Sequence, residues 1–185
     1  LLLTVAGLVG FSGRITIFEH ELNARNLSSL RARMGFLFSI PEDQLLLPSV
    51  LEDVALSLLK KGLPASKARE GARIVLDNLG IAGLATKAPY QLSHGQRLMA
   101  ALAGVLAARP ELLLLDEPTG RLDPPSRSRL VDLLGDRSST LLVATHDLEF
   151  AQALCSRFVL LEQGQVVRTG TAFETVREYW CRLSS

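Results

Sequence analysis

The sequence has few cysteines, few aromatic residues and almost no net charge. Its 185 residues include two cysteines, Cys155 and Cys181, too few for a disulfide framework and typical of a reducing compartment. With 20 basic and 19 acidic residues, the formal net charge is +1. That balance provides no general attraction to nucleic acid, and we expect no nucleic-acid partner. Hydrophobic residues make up 48% and aromatic residues 5%, as in aliphatic-rich α/β domains.

Long apolar runs are also absent. The two longest, Leu1–Phe11 and Leu98–Ala108, are shorter than the roughly 20 residues that a membrane-spanning helix needs. We therefore expect a cytoplasmic protein, for which attachment to a membrane partner stays open.

Apolar spacing predicts an α/β sheet interrupted by a helical block. Predicted helices cover Leu1–Gly7, Val50–Lys60, Ser66–Leu79 and Gln96–Ala108. Predicted strands cover Arg14–Phe18, Met34–Phe38, Glu111–Asp116 and Thr140–Thr145, and a hairpin over Arg157–Gly170 turns at Gln163–Gly164. The last two single strands are continuous apolar runs, typical of parallel strands buried on both faces.

The stretch "LSHGQR" begins a predicted helix. Ser93 and Gln96 have the spacing of a capping box, which by itself would be a structural feature. The same helix start, with the flexible backbone of Gly95, also offers free N–H groups and a partial positive charge to a phosphate. Both interpretations are open at this point.

The stretch "LLLLDEPTGRLD" follows as a buried strand and a loop. Asp116 and Glu117 stand at the C-terminal end of the strand, where open α/β sheets bind their ligands. They could cap the loop before Pro118, or Asp116 could hold Mg²⁺ while Glu117 polarises an attacking water. Asp123 is expected in a turn closed by Pro124 and Pro125.

The stretch "TLLVATHD" predicts another strand that ends at the same edge of the sheet. A lone histidine after a strand is usually structural. His146 would nevertheless lie near Asp116, which makes it a candidate contact to a terminal phosphate.

In this order, the three stretches resemble the nucleotide-binding domain of ATP-binding cassette (ABC) proteins. "LSHGQ" is similar to the family's signature motif, "LLLLDE" to its Walker B strand with the catalytic glutamate, "GRLD" to its D-loop and "ATHD" to its switch histidine. The resemblance covers essentially the whole chain. It implies a P-loop NTPase-type parallel sheet with an inserted helical subdomain.

The resemblance also implies a mechanism. Two such domains sandwich two ATP molecules head to tail, so Ser93, Gly95, Gln96 and Asp123 would act in ATP binding, with Ser93 and Gly95 on the partner's nucleotide. Asp116 would bind Mg²⁺, and Glu117 and His146 would be the catalytic residues for the domain's own ATP. The implied partners are a second ABC ATPase subunit and a transmembrane subunit on the cytoplasmic face of the membrane.

The sequence departs from the family's pattern at its start. No G-x-x-x-x-G-K-[ST] phosphate-binding loop occurs, and "LLLTVAGL" resembles the helix that follows this loop. We therefore expect an N-terminally truncated fold and an isolated chain without ATPase activity. We also expect exposed strand edges that favour aggregation.

Two single positions depart as well. Ser39 stands where the family usually has a glutamine that touches Mg²⁺ and the attacking water. His94 replaces the commoner second glycine of the signature motif, and we expect its side chain to point into solvent.

The segment Pro41–Leu58 is similar to the corresponding part of cobalt/nickel and energy-coupling-factor importers. The leading hypothesis is one domain over residues 1–185, with a helical subdomain at 50–108 and the C-terminal part of the ATPase core at 109–185. Its function would be to power an ABC importer of metal ions or vitamins. The alternative is a non-catalytic module that only donates its signature motif to another ATPase subunit.

Overall fold

A computed structural model describes residues 1–120, 122–136, 138–171, 173, 174, 177 and 180. Cys181 lies outside the described residues. Helices α1–α7 cover Leu2–Val5, Leu27–Arg31, Val50–Lys60, Ala65–Asn78, His94–Ala107, Pro124–Gly135 and Leu148–Leu154. Strands β1–β7 cover Thr16–Ile17, His20–Glu21, Met34–Leu37, Leu112–Asp116, Thr140–Ala144, Phe158–Glu162 and Gln165–Gly170. None of the described helices combines the length and the apolar character that crossing a bilayer requires.

A three-stranded parallel sheet of order β3-β4-β5 lies at the centre. Its middle strand β4 is fully covered, because side chains alternate between the two faces of a strand. Leu113 and Leu115 pack into the larger core with helices α3–α7, whereas Leu112 and Leu114 pack against α1, α2 and β1. Burying a leucine completely stabilises the fold by about 1.5–3 kcal/mol. The predicted buried strand is therefore confirmed for β4.

The predicted burial of the next strand on both faces is wrong. In β5, Leu141 and Val143 pack against the larger core, but Leu142 on the other face is 36% exposed. Among the described residues β5 pairs only with β4, and β6 only with β7. An apolar groove of about 670 Å³ separates β5 from β6, and exposed Val159 and Leu161 also line it. An apolar run cannot reveal whether a second layer covers it, because that depends on residues distant in sequence.

Helices α3, α4 and α5 form the predicted helical block. Their buried faces carry small residues, such as Ala68, Ala72 and Ala103, which allow close helix packing. Ser49 caps α3 by accepting a hydrogen bond from the amide of Glu52 at 3.4 Å. Arg129 of α6 donates a hydrogen bond to the carbonyl of Leu79, just after α4. The helical block is thereby attached to the helix that follows β4.

The expected turn at Pro124 and Pro125 is wrong, because both prolines begin helix α6. Proline fits the first turn of a helix, where its missing N–H would have no partner and its fixed φ is already helical. Asp123 is the residue immediately before this helix.

The predicted hairpin near the C-terminal end is confirmed. Strands β6 and β7 are antiparallel, and Gln163 and Gly164 have φ of +49° and +78°. Two left-handed residues are the signature of a type I′ turn. A second hairpin joins β1 to β2, with φ of +50° at Phe18 and +66° at Glu19.

Candidate functional site

The first group of site residues lies at the C-terminal edge of the central sheet. Asp116 ends β4 and is in register with Ala144 of β5, whose carbonyl accepts a hydrogen bond from the amide of Glu117 at 2.9 Å. Glu117 has a left-handed φ of +45°, a conformation that non-glycine residues seldom adopt and that concentrates at functional sites. The backbone turn directs Glu117 toward the segment after β5.

Glu117 and His146 come together as the strand positions predict. Oε2 of Glu117 lies 2.8 Å from Nδ1 of His146, with the side chains 36% and 72% exposed. The hydroxyl of Thr145 also donates to this carboxylate oxygen at 3.2 Å. Oε2 of Glu117 is therefore contacted by two successive residues of the loop after β5, Thr145 and His146.

Sequence reasoning missed the residues that shape this loop. Asp147 caps α7 by accepting from the amide of Phe150 at 3.0 Å, and its own amide donates to the hydroxyl of Thr145 at 3.0 Å. Burial alone would raise the pKa of Asp147. Hydrogen bonds from Phe150 and the Thr119 hydroxyl, with the charge of Arg127, outweigh that effect and hold the pKa below its ordinary value. An aspartate directly before a helical pattern was the available signal.

Arg127 of α6 joins the two loops that carry the site. Its guanidinium donates to Asp147 and, at 2.9 Å, to Glu149. Thr119, which is 9% exposed, lies in the loop after Glu117 and donates to the same aspartate. The carboxylate of Asp147, in the loop after β5, therefore binds both Thr119 in the loop after β4 and Arg127 in α6.

The second group lies at the start of α5. Ser93 Oγ accepts from the amide of Gln96 at 3.3 Å, and Gln96 Oε1 accepts from the amide of Ser93 at 3.0 Å. The predicted capping box is confirmed in both directions. Gln96 thus uses its side chain on its own helix, Ser93 is exposed, and Gly95 is half-buried.

Ser93, Gly95, Gln96 and Asp123 line one open cleft of about 630 Å³. Gly95 faces Leu122 from the loop after β4, since a Cβ at Gly95 would lie 3.5 Å from Cδ2 of Leu122. The cleft therefore lies between the start of α5 and the start of α6, and all four predicted ATP-binding residues share it.

Ser39 is exposed just beyond the end of β3. Nearby, the side-chain amide of Gln44 accepts from the amide of Phe38 at 2.9 Å and donates to the carbonyl of Phe36 at 2.8 Å. Gln44 therefore binds the loop after β3 to the end of that strand. Both ends of its amide bind the backbone around the end of β3, so Gln44 has a structural role that differs from that of the glutamine expected at position 39.

The expectation that His94 points into solvent is wrong. Its side chain is 23% exposed, and its Nε2 lies 3.1 Å from the carbonyl oxygen of Gly120. His94 therefore contacts the loop that follows Glu117, a contact that joins the two groups of site residues.

The residues at the sheet edge fit a magnesium ion that a phosphate also binds. Mg²⁺ usually takes one or two carboxylates and completes its shell with water and substrate phosphate. Asp116 is half-buried beside the partly exposed Glu117 and can supply such a carboxylate. In the part of the chain that the structure describes, no group of three or more His, Cys, Asp or Glu residues could enclose a metal ion alone.

Comparison with known proteins identifies the family. A family model described as ABC transporter matches residues 1–120. A putative ABC transporter ATP-binding protein from Gloeobacter violaceus is 45% identical over 160 residues, covering 85% of this chain and 66% of the relative. An energy-coupling factor transporter ATP-binding protein, EcfA2 from Methanospirillum hungatei, is 33% identical over 180 residues, covering 94% and 45%.

Two solved structures share the fold. CbiO1 from Clostridium perfringens, part of the ABC transporter complex CbiONQ, has a TM-score of 0.81 at 30% identity, covering 96% of this chain and 73% of CbiO1. The ATP-binding cassette MJ0796, a dimer in a post-hydrolysis state with ADP and Pi, has a TM-score of 0.78 at 28% identity, covering 92% and 78%. The predicted P-loop NTPase-type α/β fold is therefore confirmed.

The chain spans slightly less than two thirds of the length of three curated relatives that it matches, with 66%, 65% and 63% of their lengths. The family match nevertheless covers more than half of the chain, and the matched region includes helix α5, Asp116 and Glu117. The chain belongs to the ABC transporter family of ATP-binding proteins.

Proposed function

We propose that this chain belongs to an ATP-binding, ATP-hydrolysing subunit of an ABC importer. The convergence of Thr145 and His146 on one carboxylate oxygen of Glu117, beside Asp116, carries the proposal. A carboxylate in this position can accept a proton from an attacking water, and such general-base catalysis contributes about 10²–10⁴-fold to a rate. The membership in a family of ATP-binding proteins supports the assignment of the nucleotide.

In the proposed mechanism, Glu117 orients the water and accepts its proton, and His146 contacts the terminal phosphate. Asp116 would hold Mg²⁺, which would offset the negative charge of the phosphates. The observed contact between Glu117 and His146 keeps both groups at the same edge of the sheet. Asp147 and Arg127 fix the loops after β4 and β5 relative to each other. The carboxylate of Glu117 and the imidazole of His146 therefore need little rearrangement to act together.

The cleft with Ser93, Gly95 and Asp123 would receive ATP held by a second cassette. The start of α5 offers its helix N-terminus to anionic phosphate, and the glycine allows close approach of the backbone. The dimeric state of MJ0796 with ADP and Pi supports a paired arrangement of cassettes. We propose the partner as a second ABC ATPase subunit, identical or different.

A membrane subunit is the second proposed partner. Exposed apolar side chains lie on the helical block and the loop before it, with Leu46 75%, Ile40 53% and Tyr90 81% exposed. Arg97 links the segment of Tyr90 to the segment of Ile40 and Leu46. It donates to the carbonyl of Pro89 at 3.0 Å and to Glu42 at 2.5 Å. The likeness to EcfA2, an energy-coupling factor transporter ATP-binding protein, and to CbiO1, part of an ABC transporter complex, supports a transporter partner. The proposed cargo of metal ions or vitamins, and the proposed position at the cytoplasmic face of the membrane, follow from the resemblance of the sequence to importers.

The test measures ATP hydrolysis by a transporter assembled with a subunit that contains this chain together with a phosphate-binding loop, because the sequence itself has none. We expect Glu117→Gln to lower kcat by at least about 100-fold, since the general base is lost, while ATP binding persists. The matched control is Glu19→Gln, which changes an exposed glutamate distant in sequence from the site and should leave kcat unchanged.

The non-catalytic alternative predicts a different pair of results. A module that only donates its signature motif would tolerate Glu117→Gln, whereas Ser93→Arg would abolish stimulation of the partner ATPase. Unchanged hydrolysis in the Glu117→Gln assembly would reject the proposed catalytic role. The exposed Ser39, shorter than the usual glutamine, is the feature that favours this alternative.

A further inference from the structure

His94 makes a directional hydrogen bond across 26 residues of sequence, from the start of α5 to the loop after β4. The acceptor is the carbonyl oxygen of Gly120, 3.1 Å from Nε2 of the imidazole. Because a carbonyl oxygen can only accept, Nε2 must carry the hydrogen. The contact therefore selects one tautomer, with the hydrogen on Nε2 and the lone pair on Nδ1 when the ring is neutral.

The acceptor belongs to a tight turn that begins at Glu117. The amide of Gly120 donates to the carbonyl of Glu117 at 3.1 Å, and the amide of Leu122 donates to the carbonyl of Thr119 at 3.1 Å. A Cβ at Gly120 would lie only 3.3 Å from the carbonyl oxygen of Glu117. The backbone here is closely packed, so a partner that holds the carbonyl of Gly120 also restrains the backbone of Glu117.

On its other side, the imidazole of His94 faces an acidic residue near the end of β3. Its Nδ1 lies 3.9 Å from Oε1 of Glu42, and the same oxygen accepts from Arg97 at 2.5 Å. The hydrogen bond from the Arg97 guanidinium lowers the pKa of Glu42 below its ordinary value, with a smaller contribution from a backbone hydrogen bond of Glu42. Glu42 is thus held as a carboxylate between two side chains of α5. The ring of His94 lies between that carboxylate and the turn after Glu117.

We propose that His94 is a positioning residue that holds the Glu117–Gly120 turn against the start of α5 through its Nε2–H. A glycine at this position would leave the carbonyl of Gly120 to water and the turn free to shift relative to Ser93 and Gly95. The effect of His94 on ATP hydrolysis rests on the function proposed above, because His94 would act through Glu117. The hydrogen bond itself does not depend on that function.

The first experiment examines the hydrogen bond in this chain without nucleotide. Nitrogen-15 NMR of the histidine side chains should show a hydrogen on Nε2 of His94, whether or not Nδ1 is also protonated, and that hydrogen should be protected from exchange with water. Amide hydrogen exchange at Gly120 and Leu122 should accelerate about threefold to tenfold in His94→Gly, as expected for losing one hydrogen bond. In His94→Gln, a side-chain N–H can still reach the carbonyl, and we expect most of the protection to return.

The matched control is His20→Gln, because His20 is an exposed histidine on β2. It should leave the exchange of Gly120 and Leu122 unchanged. An Nδ1–H tautomer, or equal exchange rates in His94→Gly and the unmodified chain, would overturn the proposal.

The second experiment measures ATP hydrolysis by the assembled transporter. We expect His94→Gly to lower kcat about threefold to tenfold with an unchanged KM for ATP, and His94→Gln to recover most of it. A change confined to KM would instead indicate direct contact with nucleotide and would reject the positioning role. If the unmodified assembly hydrolyses no ATP while the exchange results hold, the proposed function fails and the hydrogen bond of His94 stands.

Discussion

Nδ1 of His146 lies 2.8 Å from Oε2 of Glu117, although 29 residues separate them in sequence. The parallel pairing of β4 and β5, with Asp116 opposite Ala144, ends both strands at the same level and makes this contact possible. Both side chains are partly exposed, at 72% and 36%. Their contact therefore contributes little to stability, and its proposed role is in catalysis.

The first prediction separates these two roles. His146→Ala should change the free energy of unfolding by less than about 1 kcal/mol, because exposed ion pairs contribute little. Urea denaturation measures this change. Asp147→Ala is the contrasting variant, since it removes the cap of α7 and the partner of Thr119 and Arg127. We expect a loss of about 1–3 kcal/mol, and equal stability losses in the two variants would contradict this division.

The second prediction concerns the pH dependence of stability at Asp53. This side chain is buried at 8% exposure, its Oδ1 accepts from the amides of Leu46 and Leu47 at 2.9 and 3.1 Å, and its Oδ2 has no hydrogen-bond partner. Burial raises the pKa of Asp53 above its ordinary value, although the two hydrogen bonds oppose that shift. The folded state therefore binds the proton more tightly than the unfolded state.

The stabilising contribution of this proton is present in full below the unfolded-state pKa and is lost as the pH rises through the folded-state pKa. Asp53→Asn cannot titrate, so the stability advantage of the unmodified chain over it should shrink as the pH rises from about 4 to neutrality. Urea denaturation across this range measures the difference. Asp53→Ala, which loses both hydrogen bonds, should be less stable than Asp53→Asn at every pH.

The third prediction tests the packing of the sheet against α5. A Cβ at Gly35 would lie 2.5 Å from Val105, 3.0 Å from Pro110 and 3.1 Å from Leu113. Gly35→Ala should therefore destabilise the fold by about 1–3 kcal/mol through overpacking. Adding Val105→Ala should recover part of that loss, because it removes the tightest contact.

The control for this prediction is Gly83→Ala. No heavy atom lies within 4 Å of a Cβ built at Gly83, and alanine reduces the conformational freedom of the unfolded chain. We expect a neutral effect or a gain of about 0.4–1 kcal/mol. Thermal or urea unfolding of the variants would show whether local crowding or glycine content determines the result.

The fourth prediction concerns the apolar groove between β5 and β6. Exposed apolar surface beside unpaired strand edges favours association between chains. Leu142→Lys, placed in the groove, should reduce self-association in sedimentation velocity experiments over a range of protein concentrations. Val166→Lys changes an exposed residue that does not line the groove, so an equal reduction there would show that general surface charge is responsible.

The sequence predicted those elements whose signals are local. The four leucines before Asp116 specify a buried strand because each of its faces receives apolar side chains. Ser93 and Gln96 specify a helix start because their mutual hydrogen bonds span only three residues. Glu117 and His146 could be assigned to the same edge because parallel strands end together.

Other features depend on which segments meet in space. The helical role of Pro124 and Pro125 was missed because the same dipeptide also suits a turn. The exposed face of β5 could not be predicted, since an apolar strand does not show whether a layer covers it. His94 was expected in solvent because its partner, the carbonyl of Gly120, is 26 residues away.

The sequence by itself determined the family and predicted the main strands and helices and the residues of the candidate site, because these follow from residue type and short-range spacing. Only the tertiary structure decided that His94 joins the start of α5 to the loop of Glu117, and that Asp147 ties that loop to the loop of His146. A hydrogen bond requires two groups within about 3 Å in the right orientation. Between distant segments, chain packing determines that geometry.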